Sequence, residues 1–543
     1  MINLKNKISN WTRFQTILKT FAKHGFTSFI RDFGFPLPGT FRESTETLKA
    51  GVPKQLRKAF EELGPTFIKL GQLLSTRPDI LPEEYIFEFS KLTDQISGFP
   101  FKEVLVILEK ELGRDPLEVF NSIEEKPLAA ASIAQVHRAV LHDGEKVVIK
   151  VQRPGILEMI EGDIQVLHFV AKNLEKVREE FRLMNLSAVV KEFQRTIYEE
   201  LDFTLEARNI DQFAQNFPEL DGIVIPHVQW SHTTTRILTM TELSGTPLSQ
   251  LPEFPANIDR SFLAEAIVNF FFESMFFHGL FHADAHSGNI LLQTEGRGRL
   301  ALLDFGMVGT LGPNLRSKLS QLFMAIVSRD FESLALLYTD IGEFQKKFSV
   351  REFQADISEL LSPHLGKTLK QINMGQLLLD STKVARKYHV KLPRDLIMFY
   401  RSLMTLEHIG RKLDPEFDFL TYGQKFAQTL VKRRFSSQEI FRDIFKTVEG
   451  LRSLGTELPT QIKNLVKKID NEDFSFGNEA TERTLKEFQK THRLTLLSFF
   501  TIVLMLCSTL ISTVRPGSPI EIPLWVGTLL LSLFLLLILV RRK

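Results

Sequence analysis

The apolar and polar positions of this chain change period several times, and each change marks an element. Leu4, Ile8, Trp11, Leu18 and Phe21 recur near one helical face, with Lys5, Lys7, Arg13, Lys19 and Lys23 elsewhere, which predicts a basic amphipathic helix. Such a helix lies on an anionic membrane or packs on the domain, and the pattern favours neither. Residues 34–54 carry Gly34, Pro36, Pro38, Gly39, Gly51 and Pro53 and read as a loop-rich break. Helical spacing resumes over 54–76, interrupted at Gly64-Pro65, and again over 103–112, stopped by Gly113.

From Pro127 strands take over. Residues 132–141 and 146–152 are rich in Val, Ile and Ala, and His142-Asp143-Gly144-Glu145 joins them as a hairpin. Residues 155–181 and 186–213 read as long helices, and 223–225 and 237–240 as short strands on either side of Trp230. A Phe-rich buried helix over 261–278 leads into strand, polar loop, strand and turn between Phe281 and Gly306. A helical pattern then runs from about Leu315 to about residue 465, broken at Pro363, Pro393 and Pro415, and 470–481 is a polar linker.

Two apolar runs close the chain. Residues 494–514 are uncharged over 21 positions, and 522–540 follow after Arg515-Pro516-Gly517-Ser518-Pro519. Each is long enough to cross roughly 30 Å of hydrocarbon as a helix. Lys486, Lys490 and Arg493 flank the first and Arg541, Arg542 and Lys543 the second, so both ends and the large domain are expected on the cytoplasmic side, of the inner membrane in a bacterium. A buried hairpin in a soluble core is the bland alternative, and charge-free runs of this length argue against it. Met1 to Asn10 is polar, unlike a signal peptide.

Composition removes classes of function. With 67 basic and 65 acidic residues among 543, the formal charge is only +2, which gives no argument for a nucleic-acid partner. The single cysteine, Cys507, rules out an intramolecular disulfide framework or a thiolate zinc cluster. Forty-seven Phe against six Tyr is a load that packed helices explain.

The chemistry concentrates at His282-Ala283-Asp284-Ala285-His286-Ser287-Gly288-Asn289 and the later Asp304-Phe305-Gly306. Phosphoryl transfer needs phosphate charge neutralised and the attacking oxygen oriented. Kinases do this with a loop Asp five residues before an Asn, then an Asp-Phe-Gly. Asp284 would orient or deprotonate the attacking hydroxyl or water, and Asn289 and Asp304 would be oxygen ligands for Mg2+. Lys150 ends a strand behind the small-residue loop Leu128-Ala129-Ala130-Ala131-Ser132-Ile133-Ala134-Gln135-Val136, where kinases place the lysine that holds the α- and β-phosphates of ATP. A Val-Ile-Lys ending is common and takes its weight from the two downstream motifs.

Glu199, Asp202 and Glu206 fall on one face of the expected helix; an acid there pairs with Lys150 or belongs to a solvated surface, and the spacing leaves both open. Glu242 and Leu243 sit in a stretch suited to a hinge whose backbone bonds adenine. Read alone, His282, Asp284 and His286 would suit a metal hydrolase, but that leaves Asn289, Asp304 and Lys150 unexplained; His286 fits better as a loop-structuring residue. Past Gly306 there is no long activation segment and no Ala-Pro-Glu, so the platform for a peptide substrate is missing. Lys69 and Gln72 share a helix face, and Gly71 between them admits close approach of another backbone.

Together these motifs resemble those of the UbiB family of atypical kinase-like proteins. The likeness covers roughly residues 55–490, and the C-terminal hairpin is similar to that of bacterial members. It rests on Lys-x-Gly-Gln at Lys69, Gly71 and Gln72, the alanine-rich loop at Ala129-Ala130-Ala131-Ser132, and Glu-x-Asp at Glu200 and Asp202, with the His-Ala-Asp-x-His-x-Gly-Asn loop and Asp-Phe-Gly. The resemblance implies an α+β, protein-kinase-like two-lobe fold with a helical N-terminal extension lying across the active site. Lys69 would point in to meet Glu200 or Asp202, and Glu206 would be the partner of Lys150.

The expected layout is an amphipathic segment over 1–52, the extension over 53–126, an N-lobe with a helical insertion over 127–245 and a C-lobe over 246–430. A helical segment and linker over 431–490 and a transmembrane hairpin over 491–543 complete it. The resemblance also implies ATP and Mg2+ as cofactors, ATPase activity favoured over protein phosphorylation, and support of ubiquinone biosynthesis. A membrane lipid or isoprenoid-quinone precursor, and quinone-biosynthetic enzymes, are the partners it suggests. The alternatives are a small-molecule or lipid kinase and a nucleotide-gated scaffold or lipid chaperone. Ala285 and Ser287 stand where many members have prolines, which bears on loop stiffness rather than chemistry.

Overall fold

The computed structural model describes residues 2–32, residues 51–434 with short gaps that include Asp284, and little beyond a helical turn at 525–529 thereafter. The chain divides into two units, Met1–Phe435 and Ser436–Lys543. The expected spans at 494–514 and 522–540 lie, apart from that turn, outside the described residues, as do the linker at 470–481 and residues 34–50. Among the described residues no helix is long and apolar enough to cross a membrane.

The chain opens with helices α1 (Ile2–Lys23), α2 (Thr27–Asp32), α3 (Val52–Leu63), α4 (Pro65–Ser75), α5 (Glu83–Phe89), α6 (Phe101–Leu112) and α7 (Pro116–Val119). Phe14, Ile17, Leu18 and Ala22 of α1 are buried against the domain. Of the two settings open to this helix, packing on the domain is the one observed, because its apolar stripe finds partners on α3 and on the long helix after the hairpin.

Strands β1 (Phe120–Ile123), β2 (Ala129–Ala130), β3 (Ala134–Leu141), β4 (Lys146–Gln152) and β6 (Ile237–Thr241) form an antiparallel sheet in the order β1-β3-β4-β6, with β2 paired to β3. Between β4 and β6 come α8 (Ile156–Val177), α9 (Glu179–Met184), α10 (Leu186–Leu201), α11 (Phe203–Asn216) and β5 (Ile223–Val224). One face of this sheet packs on α6 through Val104, Ile107 and Leu108; the other joins the main core.

After β6 come β7 (Thr246–Pro247) and the largely buried helix α12 (Arg260–Glu273), which runs into a π-helical turn, Ser274–His278. Strands β8 (Leu280–His282), β9 (Ile290–Gln293), β10 (Arg299–Leu302) and β11 (Val308–Thr310) carry the two motif loops. Helices α13 (Pro313–Ser328), α14 (Phe331–Ile341), α15 (Val350–Leu361), α16 (Met374–Lys387), α17 (Arg394–Leu413) and α18 (Phe419–Arg434) follow, with the small pair β12 (Glu343–Phe344) and β13 (Val390–Lys391). The phenylalanine load is spent here: Phe272 lies 4.9 Å from Phe323 and 5.1 Å from Phe426.

Candidate active site

Strand alternation sets the position of Lys150. Val147, Ile149 and Val151 are buried on the α6 side of β4, so Val148 and Lys150 face α11. There Lys150 Nζ lies 2.7 Å from Glu206 Oε2 and 5.2 Å from the Phe203 ring centroid. Burial pulls the Lys150 ammonium down, but Glu206 and Asp304 outweigh it and hold its pKa above the ordinary lysine value.

The helix expected over 186–213 is two helices. Asp202 Oδ1 accepts the Thr204 N–H at 3.0 Å and its hydroxyl at 2.7 Å, an N-cap that separates α10 from α11. Glu199, Asp202 and Glu206 therefore do not share one face, which corrects the helical reading. The kink divides the labour: Glu206 turns to Lys150, and Glu200 turns to α4, where Lys69 Nζ lies 3.0 Å from Glu200 Oε2. Asp202 is a cap.

Gly71 of α4 is tight, but not against backbone as expected. A Cβ there would lie 2.3 Å from Leu92 Cδ1 and 3.0 Å from Phe60 Cδ2, so side chains fill the approach. Gln72 Nε2 donates to Leu92 O at 3.3 Å. Lys69 is close enough to act electrostatically on both Lys150 and Asp304, so α4 brings a second ammonium to the site.

The two motif loops are brought together by the β9–β10 ladder. Ile290 pairs with Leu302, and the Leu303 N–H donates to Asn289 O at 3.0 Å, which sets Asn289 beside the turn that carries Asp304. Burial alone would raise the Asp304 carboxyl, but Lys150, the Gly306 N–H at 2.8 Å, His282 and Lys69 hold it below the usual value. Phe305 is buried with its ring 5.2 Å from Phe213 and 5.3 Å from His282. Burial pushes His282 down to about 4, so its ring is neutral where it bonds the Asp304 backbone. His286 Nδ1 accepts the Gly288 N–H at 3.0 Å. Each imidazole thus serves its loop, and among the described residues no cluster of three His, Cys, Asp or Glu could hold a metal ion. Asp284 lies outside the described residues.

The alanine-rich loop is a short hairpin. Leu128 N–H donates to Val136 O and Ala131 N–H to Ala134 O, both at 2.8 Å, with Ser132 and Ile133 at the bend. Ser132 is fully buried, and its Oγ has no hydrogen-bond partner among the described residues. Gln135 uses its amide elsewhere: it accepts the Phe99 N–H at 2.8 Å, donates to Phe99 O at 3.3 Å, and lies 2.7 Å from His137 Nε2. Arg153 Nη2 donates to Ser97 O and Ala131 O. The linker descending from the extension is thereby stitched to the loop. At the hinge, Glu242 gives its N–H to Lys146 O and its carboxylate to Arg138, which leaves Leu243 as the next backbone group along.

Sequence reasoning missed His137, Arg153 and Asn209. Asn209 Nδ2 donates to Phe305 O at 2.9 Å, tying α11 to the Asp304 turn. Its one signal was its place three residues after Glu206, on the same helical face.

Residues 91–337 match the model of the ABC1 atypical kinase-like domain, and 357–418 that of the UbiB helical domain. A protein from Marinobacter nauticus named "Probable protein kinase UbiB" is 32% identical over 88% of this chain and 88% of its own length. One of the same name from Azotobacter vinelandii is 34% identical over 80% of this chain and 82% of its own. The chain belongs to the UbiB family of atypical kinase-like proteins. A solved structure of Rv3197 with erythromycin, from Mycobacterium tuberculosis, is 23% identical over 69% of this chain and 98% of that one, with a TM-score of 0.42. The matched ABC1 domain begins at the linker before α6, so α1–α5 precede it.

Proposed function

We propose that this UbiB-family protein turns over Mg-ATP beneath a closed cover, at a membrane, in support of isoprenoid-quinone biosynthesis. The observation that carries the reading is one charge arrangement: Lys150 held between Glu206 and Asp304, with the Lys69–Glu200 pair beside it. The residues fit the cofactor. Asp304 stays ionised and Asn289 offers an amide oxygen, hard donors of the kind Mg2+ takes in small number. The buried, unpartnered Ser132 hydroxyl supplies a donor in the loop that kinases place over phosphates. When bound, Mg-ATP supplies the transferable phosphoryl group and the cation that neutralises it.

The chain's own residues would then act as follows. Lys150, fixed by Glu206, holds the α- and β-phosphates. Asn209 keeps Glu206 and the Asp304 turn in register. Neutral His282 holds the Asp304 backbone without competing for its charge. Asp284 orients the attacking water or hydroxyl, and Leu243 offers backbone to the adenine. Because β11 runs directly into α13, no segment is there to lay out a peptide, which favours water or a small acceptor. The charge-free runs at 494–514 and 522–540 with basic flanks support a membrane anchor, and hence a lipid or quinone-precursor client handled with biosynthetic enzymes.

The quinone profile of lipid extracts tests this reading. Cells lacking the protein, and cells carrying only Asp304→Asn, should both lose quinone and accumulate a precursor. A full quinone pool with Asp304→Asn would sink ATP dependence and leave a scaffold or lipid chaperone.

A further inference from the structure

Asp163 lies on α8 with a fully buried side chain. A buried carboxylate persists only when paired and hydrogen-bonded. Arg13 of α1 meets it as a fork, Nε to Oδ1 at 2.5 Å and Nη2 to Oδ2 at 2.9 Å. The same Nη2 donates to Leu63 O at 2.9 Å. Leu63 is the last residue of α3, Gly64 breaks the chain with φ of 94°, and Pro65 begins α4, which carries Lys69. Leu63 O is one of the carbonyls a helix end leaves open, at the pole that favours a cation. One guanidinium thus joins α1, α8 and the joint of the cover. Next to Leu63, Glu62 takes Lys23 Nζ and His24 Nε2, both at 2.9 Å, so the far end of α1 grips the same joint.

We propose that α1 is a strap that holds the cover closed, with Arg13 as its latch and positioning residue. Undocking α1 strands a buried charge at Asp163 and frees the carbonyl at the head of the cover's hinge. Strap and cover therefore move together, and α1 has few intermediate positions. The latch is accessible: the Arg13 side chain is 26% exposed and Asp163 is not exposed at all, so the arginine is the partner that leaves. Most helical stability in proteins comes from packing an amphipathic face, so α1 keeps its order by docking. The consequence for turnover rests on the nucleotide reading above; the consequence for the cover does not.

The test is amide hydrogen exchange across 65–75 in the full chain held in lipid nanodiscs, with phosphate release from Mg-ATP measured alongside. Arg13→Gln should speed exchange over 65–75 by roughly tenfold while leaving strand 134–141 unchanged. Phosphate release should rise several-fold, and Arg13→Lys, which keeps the charge but not the fork, should fall between. Arg13→Gln combined with Asp163→Asn should open the cover no further than either alone, since both break one latch. If Arg13→Gln fails to fold, Asp163→Asn removes the buried charge instead of stranding it and gives the same readout. Unchanged exchange over 65–75 in these variants overturns the strap. Absence of phosphate release from the wild-type chain would count against the nucleotide reading only, and the exchange data would still decide the latch.

Discussion

Lys150 lies against Glu206 and acts on Asp304, so its ammonium is the main cation on both acids. Burial pushes Glu206 up, Lys150 pulls it back and Asp304 pushes again, leaving it above the ordinary value. Lys150→Ala removes the pull. A carboxyl whose folded pKa is raised costs stability as pH rises through that value, so the variant should fall behind wild type most at high pH. Melting curves at pH 5 and pH 8 should show the gap widening with pH, toward about 3–5 kcal/mol, together with loss of nucleotide binding. A gap that narrows with pH would contradict the pairing. His282 has the opposite signature. Its folded value is about 4 against an ordinary 6.5, so it contributes stability above pH 6.5 that is lost as pH falls toward 4. The loss is about 3 kcal/mol, visible as acid destabilisation in that window that His282→Gln should flatten.

At the scale of elements, α11 and α4 do the positioning. Asn209→Ala gives up one hydrogen bond between α11 and the Asp304 turn, worth about 1 kcal/mol. Phosphate release should fall roughly fivefold while nucleotide affinity changes less; equal losses in both would mean Asn209 acts on binding. Gly71→Val forces methyls against Leu92 and Phe60 and should loosen α4 by about 1–3 kcal/mol, read as faster proteolysis at Lys69 and Arg77. The elements themselves were mostly legible. The β3–β4 hairpin, the helix break at Gly64-Pro65 and the stop at Gly113 follow from short-range turn and cap chemistry. The split at Asp202 was not, because an acid within a helical apolar pattern reads as a surface residue until its side chain is seen capping the next helix.

For the whole molecule, the motif loops and the strand lysine pointed to a kinase-like core because their chemistry depends on spacings within a few residues. What joins the core to its cover had no such trace. Arg13 and Asp163 stand 150 residues apart, and Gln135 meets Phe99 across 36, so each looks ordinary in its own neighbourhood. The proposed cover distinguishes this account from that of a peptide kinase: with α4 over the site and no segment after β11 to hold a protein substrate, ATP should be spent on water or a small acceptor. Phosphate release by the full-length chain in lipid nanodiscs with Mg-ATP, compared with Asp304→Asn, tests that claim most directly. The expected result is steady release from wild type and a loss of roughly a hundredfold or more in the variant. Equal release from both would contradict the assignment of turnover to this site.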